Sequence, residues 1–581
     1  RKPSDTLTGE ADLLYGADNR LRLRGAISGP ILADDELSGR FSVVRETRDG
    51  LYTNVVNGKK LKDKDNLSLR GGLQWRPVDN LSFLLRGDNT RQRETGSVTK
   101  MLSTDPMLLA AGAIFPSDPF DVALDEDTHL NVDHRGLSLD AEWEPGDLTV
   151  KSLSALRYFK SDAFFDTDGT NLALANAPNV EKSHTFTQEL QLLSPSTDRL
   201  SYIAGLFFLR DDASNTGGTN INPGGIVFSA PLIPPEGVLS NFDPRTILAG
   251  FPQGGSGIHT NDTTAYAAFS EATFRLTPDI RLTAGLRYSH ERKETMVDLG
   301  YGATSVAADW SAWTPRFVAD WAVAPDTLLY ASVSRGFKSG GFNAFSTAAF
   351  DPEYVWNREI GLKAELFGRR LRTNIAAFDA SYTDFQVQIL GENLTAAVAN
   401  AGKAKTRGVE MEFTALPVDR LQINGAVSWL DATYDRFSLT DITVQFPTTI
   451  PGYGVINYPI LGQFDQSGQR MFNAPEWTLS LGAQYSWVLT GDIELTGRAE
   501  YQRLGAARTS RTFTRDAYEL VNLSLSAGPR DGAWSLTVFG KNIFDKHYLS
   551  YGAMQPPLWG RLISTIQGDP ASWGLQVSVR F

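Results

Sequence analysis

The side chains able to do chemistry in this chain are carboxylates, arginines and aromatic rings, and their spacing points to binding, not to bond making. Cysteine is absent and histidine numbers only 6, which removes thiol nucleophiles, zinc ribbons, iron-sulfur clusters and disulfide scaffolds. Asp and Glu number 67, yet no pair is set as acid and nucleophile, so a glycosidase is disfavoured and no catalytic residue is expected. The acidic run Asp118, Asp121, Asp125, Asp127 and Asp133 has the oxygens that calcium takes, and Asp166-Thr167-Asp168-Gly169 resembles the start of a calcium loop. That spacing does not continue to a Glu at the twelfth position, so these are read as solvated loops, with no metal and no cofactor. His129 and His134 lack partners for a closed metal site and are read as surface residues.

The aromatics carry the sharper signal. Phe115, Phe120, Phe251, Phe342, Phe345, Tyr354, Trp356, Tyr453, Tyr458 and Trp559 stand in segments between regular strands, where exposed rings normally have something to cover. Two readings stay open: the rings capture a ligand, or loop packs on loop. The ligand-binding candidates are Phe251, Phe342, Asn343, Phe345, Tyr354, Trp356, Tyr453 and Trp559.

These residues must be positioned by strands, because the apolar period along much of the chain is two. Ile280, Leu282, Ala284, Leu286 and Tyr288 share one face, and Arg281, Thr283, Arg287 and Ser289 the other. Trp477 to Trp487 and Ile493 to Tyr501 alternate in the same way, with Arg498, Glu494 and Glu500 on the polar face. A soluble β-sandwich would alternate too. The runs here, however, reach about 10 residues or more, the length a tilted membrane strand requires. Short connections such as Thr277-Pro278-Asp279, Pro417-Val418-Asp419 and Thr490-Gly491-Asp492 also alternate with long ones, at roughly 91 to 135, 159 to 182, 211 to 261, 293 to 310 and 432 to 474. That sorting predicts an all-β fold, a transmembrane antiparallel β-barrel of about 22 strands with long extracellular loops and short periplasmic turns.

Composition agrees. Mean hydropathy is -0.23, and no apolar run approaches the ~18 residues of a membrane helix, whereas a barrel can be hydrophilic on average and still span a bilayer. A chain of 581 residues exceeds what one solid core usually supports, but a barrel grows around a lumen instead. Trp75 and Trp487 precede short turns, where an inner interface belt belongs. A net charge of -12 argues against a nucleic-acid partner, since phosphate binding needs clustered cations. No signal peptide precedes Arg1, so a mature or truncated product is expected.

Four segments together resemble the TonB-dependent receptors of Gram-negative outer membranes. They are Ser332 to Asn343 (SVSRGFKSGGFN), Pro352 to Lys363 (PEYVWNREIGLK), Asn400 to Glu410 (NAGKAKTRGVE) and Lys541 to Tyr548 (KNIFDKHY). The last is similar to the family's Asn-Leu-Phe-Asp-x-x-Tyr pattern, and the terminal Phe581 resembles a barrel-assembly signal. The resemblance implies a ligand-gated importer, not an enzyme, with an extracellular small-molecule ligand, most often an iron-siderophore complex. Its alternatives are a passive porin-like channel or import of an aromatic compound, an oligosaccharide or cobalamin. It further implies a plug domain and a TonB-contacting segment outside this sequence. On that basis residues 1 to 4 are expected to be the end of the plug junction and 5 to 581 the barrel, with outer-membrane lipid as a partner.

Overall fold

The computed structural model describes residues 2 to 581 apart from 33–35, 97, 104–105, 197–198, 219, 222–256, 391–395, 401, 451–453 and 555–562. Twenty-two strands form a closed antiparallel barrel. The first seven are β1 (Thr8–Gly16), β2 (Arg20–Pro30), β3 (Leu37–Arg48), β4 (Lys64–Val78), β5 (Leu81–Glu94), β6 (His129–Trp143) and β7 (Thr149–Asp166). Next come β8 (Ala175–Leu193), β9 (Leu200–Gly217), β10 (Gly257–Arg275), β11 (Ile280–Asp298), β12 (Thr304–Ala324), β13 (Thr327–Lys338) and β14 (Glu353–Leu366). The barrel continues through β15 (Leu371–Thr383), β16 (Lys403–Ala415), β17 (Leu421–Arg436) and β18 (Trp477–Thr490). It ends with β19 (Ile493–Leu504), β20 (Tyr518–Pro529), β21 (Trp534–Lys541) and β22 (Ser572–Arg580).

β1 pairs with β22 from Glu10 opposite Arg580 to Gly16 opposite Gly574, which closes the sheet. At the seam Gly9 N–H donates to Phe581 O at 2.8 Å, and Phe581 N–H donates back to Gly9 O at 3.1 Å. The terminal ring lies over Gly9 so closely that a Cβ there would sit 2.2 Å from it, and the ring would have to turn aside to admit one.

The two faces separate as the period of two requires. On β11, Leu282 and Leu286 are exposed on the outside, while Thr283 and Ser289 are buried on the inside. Trp75, Trp143, Trp321, Trp487 and Trp534 stand exposed on the outer wall near the short turns, as an interfacial belt does. Trp75 stacks on Phe83 at 5.4 Å.

Boundaries differ from expectation on the outer side. Strands β7 to β12 run 18 to 21 residues, so the connection expected at 159 to 182 shrinks to 167–174, and that at 293 to 310 to 299–303. The backbone ladder continues above the bilayer, where both faces are wet and apolar alternation no longer marks a strand.

Among the described residues the buried apolar clusters lie in the outer loops and at the outer ends of strands. Tyr52, Leu61, Val98, Val122 and Leu124 form one, with Phe120 against it. Met101, Leu108, Ala113 and Leu174 form a second, with Phe115 against it. A third, around Tyr434 and Phe437, joins the connections after β15 and β17.

Side-chain orientation sets a direct test of the membrane face. Leu481 is exposed on the outer wall and pairs with Gly425 and Tyr501, while its neighbour Ser480 turns inward. Leu481→Arg is expected to lower folding stability in lipid vesicles by about 2 to 4 kcal/mol, and Ser480→Arg to change it little. Denaturant titration in vesicles, read by heat-modifiable gel mobility, separates the two; equal effects would contradict this assignment of faces.

Candidate functional site

Strand parity brings chemistry together at the mouth. Lys293 on β11 continues the inward row of Arg287, Ser289 and Glu291, and Glu291 faces Trp310 on β12. The connection after β13 folds back as a small hairpin, with Gly341–Phe342 opposite Ala349–Phe350. It carries Phe342 edge-on to Trp310 at 6.0 Å. Lys293 Nζ lies 5.8 Å from the Trp310 ring and donates to Gly340 O at 2.6 Å. Phe345, at φ 54, reaches the inward-facing His259 of β10 at 5.9 Å. His259 pairs with Thr295 at 2.8 Å, and burial pulls its imidazole below the ordinary value, so it is neutral at pH 7. Rings, the ammonium group of Lys293, which also pairs with Glu291 at 3.6 Å, and a neutral imidazole can hold a flat ligand by ring and polar contacts.

The other candidates fall in different places. Asn343 is a clamp: its amide donates to Val398 O at 3.1 Å and accepts from Val398 N–H at 2.6 Å. Tyr354 and Trp356 alternate with the inward Glu353, Val355 and Asn357, so both stand on the outer wall, a placement that the aromatic type alone could not reveal. There Arg335 covers the Tyr354 ring at 4.1 Å, and Trp356 is exposed. Phe251, Tyr453 and Trp559 lie outside the described residues, as does the Tyr458 side chain. Phe115 and Phe120 pack loop on loop, Phe120 meeting Tyr52 at 5.5 Å. Trp310, Lys293 and His259 sit on strands, where residue type alone gives no signal, and not in loops; the inward row of Arg281 and Arg287, extended upward, reaches Lys293.

Below the mouth the lumen is ionic. A recess of about 740 Å³ is lined by Arg24, Arg40, Arg70, Arg86 and Arg157 among acids that include Asp88 and Asp140. Arg498 donates to Glu500 at 2.7 Å and to Asn424 at 3.1 Å. Arg287 lies between Phe207 and Phe269, at 5.4 and 5.6 Å. Arg281 sits 3.6 Å from Asp320, and Glu494 3.9 Å from Arg530.

The acidic loops also organise in a way that contiguous spacing hides. Buried Lys100 donates to the backbone oxygens of Pro116, Asp118 and Asp121. Asp125 from one loop joins Asp166 at the end of β7 and Asp168 in the loop that follows it, their carboxylate oxygens all within 4.8 Å of one another. Among the described residues this is the group that could hold a cation, with hard oxygen ligands of the kind divalent ions take. Asp168 is satisfied by Thr170 and by Ala175 N–H, whereas Asp166 Oδ2 has no partner. Burial and the neighbouring Asp168 push Asp166 up to about 9, and burial pushes Asp168 up to about 6.

Residues 84–543 match the family described as TonB dependent receptor-like, beta-barrel. The chain belongs to that family. The ferric yersiniabactin uptake receptor FyuA from Yersinia pestis overlays all of this chain and 81% of its own, with a TM-score of 0.78 at 17% identity. The siderophore receptor PiuA from Acinetobacter baumannii gives 0.75 at 14%, over all of this chain and 82% of its own. In sequence, the metal-pseudopaline receptor CntO of Pseudomonas aeruginosa is 26% identical over 45% of this chain and 34% of its own length. The pesticin receptor of Yersinia pestis is 27% identical over 50% and 40%. The match thus spans about a third to two fifths of these curated relatives. As a TonB-dependent receptor barrel, the molecule lies in the outer membrane, with the mouth cluster on the extracellular side.

The acid cluster yields a pH expectation for the receptor's outer loops. An acid whose folded value is raised contributes stability that is fully present below its unfolded value, near 4, and lost as pH rises toward the folded one, here about 9. Amide protection across residues 166–176 is therefore expected to fall between pH 4 and pH 9. Asp166→Asn should restore it at the alkaline end, as read by hydrogen exchange. An unchanged profile in the variant would rule out Asp166 as the cause.

Proposed function

We propose that this receptor captures an iron-siderophore complex at the Trp310, Phe342 and Phe345 cluster and passes it through the barrel under drive from the TonB complex. The observation that carries the reading is the meeting of inward-facing rings and an ammonium group at the mouth of a barrel whose relatives are named as siderophore and metal receptors. Such complexes are often aromatic and carry charge, which ring faces and edges beside one cation accommodate. Asn343 serves the site indirectly, by tying the hairpin to the connection after β15. Nothing in the scheme makes or breaks a covalent bond, so the activity is transport, not catalysis.

The test uses fluorescence titration of the purified receptor with a panel of ferric siderophores, beside cobalamin and oligosaccharides as competitors for the assignment. Trp310→Ala or Phe342→Ala is expected to weaken the cognate complex by about 1 to 3 kcal/mol. Asp419→Ala should leave it unchanged, since Asp419 lies in a periplasmic turn where it meets Arg370 at 2.8 Å. Binding of cobalamin or an oligosaccharide in place of every ferric complex would overturn the ligand assignment; equal loss from Asp419→Ala would overturn the location.

A further inference from the structure

We propose that the outer wall of β5 to β8 binds the phosphate groups of an outer-leaflet lipid. The register sets a row of charges facing the membrane side. Arg91 stands opposite Asp133, Asp133 opposite Lys160, and Lys160 opposite Lys182. All four share the face of Leu137, Leu156 and Phe186, which are exposed on the outside. Directly opposed residues in an antiparallel pair lie about 5 Å apart, and like charges there repel. Lys160 and Lys182 are such a pair.

Protein groups do not relieve them. Asp133 is held by Arg93 through two bonds of 2.9 and 2.8 Å, and Asp162, one row higher, pairs with His129 at 3.2 Å. Arg91 has the Asp65 carboxylate of β4 near it, but Lys160 and Lys182 make no ion pair or hydrogen bond among the described residues, and Arg135, one row lower, lies 5.8 Å from the Tyr158 ring. Other cations of the outer wall do have carboxylates: Arg358 and Arg407 share Asp379, and Arg503 meets Glu519 at 2.6 Å. The unmatched group needs an anion from outside the protein.

Position decides which anion. Going from the charged row toward the membrane, the next row holds Asn89, Arg135, Tyr158 and His184, and the one after it Gly87, Leu137, Leu156 and Phe186. Polar wall gives way to apolar wall within two rows. A ligand that meets both must be amphiphilic, with phosphate at Lys160 and Lys182 and acyl chains along Leu137, Leu156 and Phe186. A soluble phosphate would have no use for the second part.

The test is native mass spectrometry of the purified receptor with bisphosphorylated lipid A, with dephosphorylated lipid A, and with inorganic pyrophosphate. Removing two cations near a phosphate surface in Lys160→Gln/Lys182→Gln is expected to weaken bisphosphorylated lipid binding about thirtyfold. Dephosphorylated lipid should bind both proteins weakly and alike, and Arg358→Gln/Arg407→Gln should behave as wild type. Heat-modifiable gel mobility checks that each variant is folded. The proposal fails if the double lysine variant keeps full affinity, if the arginine control loses as much, or if dephosphorylated lipid binds wild type equally well. Pyrophosphate binding as tightly as the lipid would also overturn it, assigning the row to a soluble anion.

Discussion

Every feature of this molecule depends on one constraint: a backbone amide or carbonyl in hydrocarbon must find its partner within the protein. A sheet with free edges cannot meet it, so β1 and β22, more than 550 residues apart in sequence, are paired over seven positions. The exchange between Gly9 and Phe581 completes that seam, and the ring of Phe581 covers the glycine that lets it approach. Closure then dictates the rest. Neighbours in sequence become neighbours in the wall, and every strand offers one face to lipid and one to the lumen.

The lumen of so wide a barrel is beyond the reach of side chains, so its polar groups answer one another locally. Arg498 with Glu500 and Arg281 with Asp320 are partly exposed pairs, worth little each in stability. Their use is to keep the passage polar. The outer wall at β7 and β8 is the contrasting case, where Lys160 and Lys182 stand opposite each other with no ion pair among the described residues.

Above the bilayer the water-filled exterior no longer forces alternation, and the chain builds small cores of its own. Phe115 and Phe120 belong to those cores. Lys100, buried with three backbone oxygens around its ammonium group, ties down the Asp118 to Asp121 stretch. This is costly chemistry for a loop, since burial pulls the lysine below its ordinary value.

How much of this was legible in the residues follows from the range of each interaction. Alternation is local, so the period at Ile280 to Tyr288, the short turns and the strand count could be read directly, as could the tryptophans that precede the turns. Strand ends could not be, because β7 to β12 continue into water where ladder hydrogen bonds persist but the hydrophobic pattern that reveals them does not. The site was readable only by type. Phe342 and Phe345 are at the mouth, yet Tyr354 and Trp356, equally aromatic and close in sequence, face outward, because a shift of one residue in register reverses a side chain. Trp310, Lys293 and His259 join Phe342 and Phe345 only through cross-strand register and the fold of one hairpin, and the three carboxylates meet only because two separate loops do. Composition and periodicity determined a lipid-facing barrel; which side chains share a space was decided by pairings between residues distant in sequence, which no local pattern encodes.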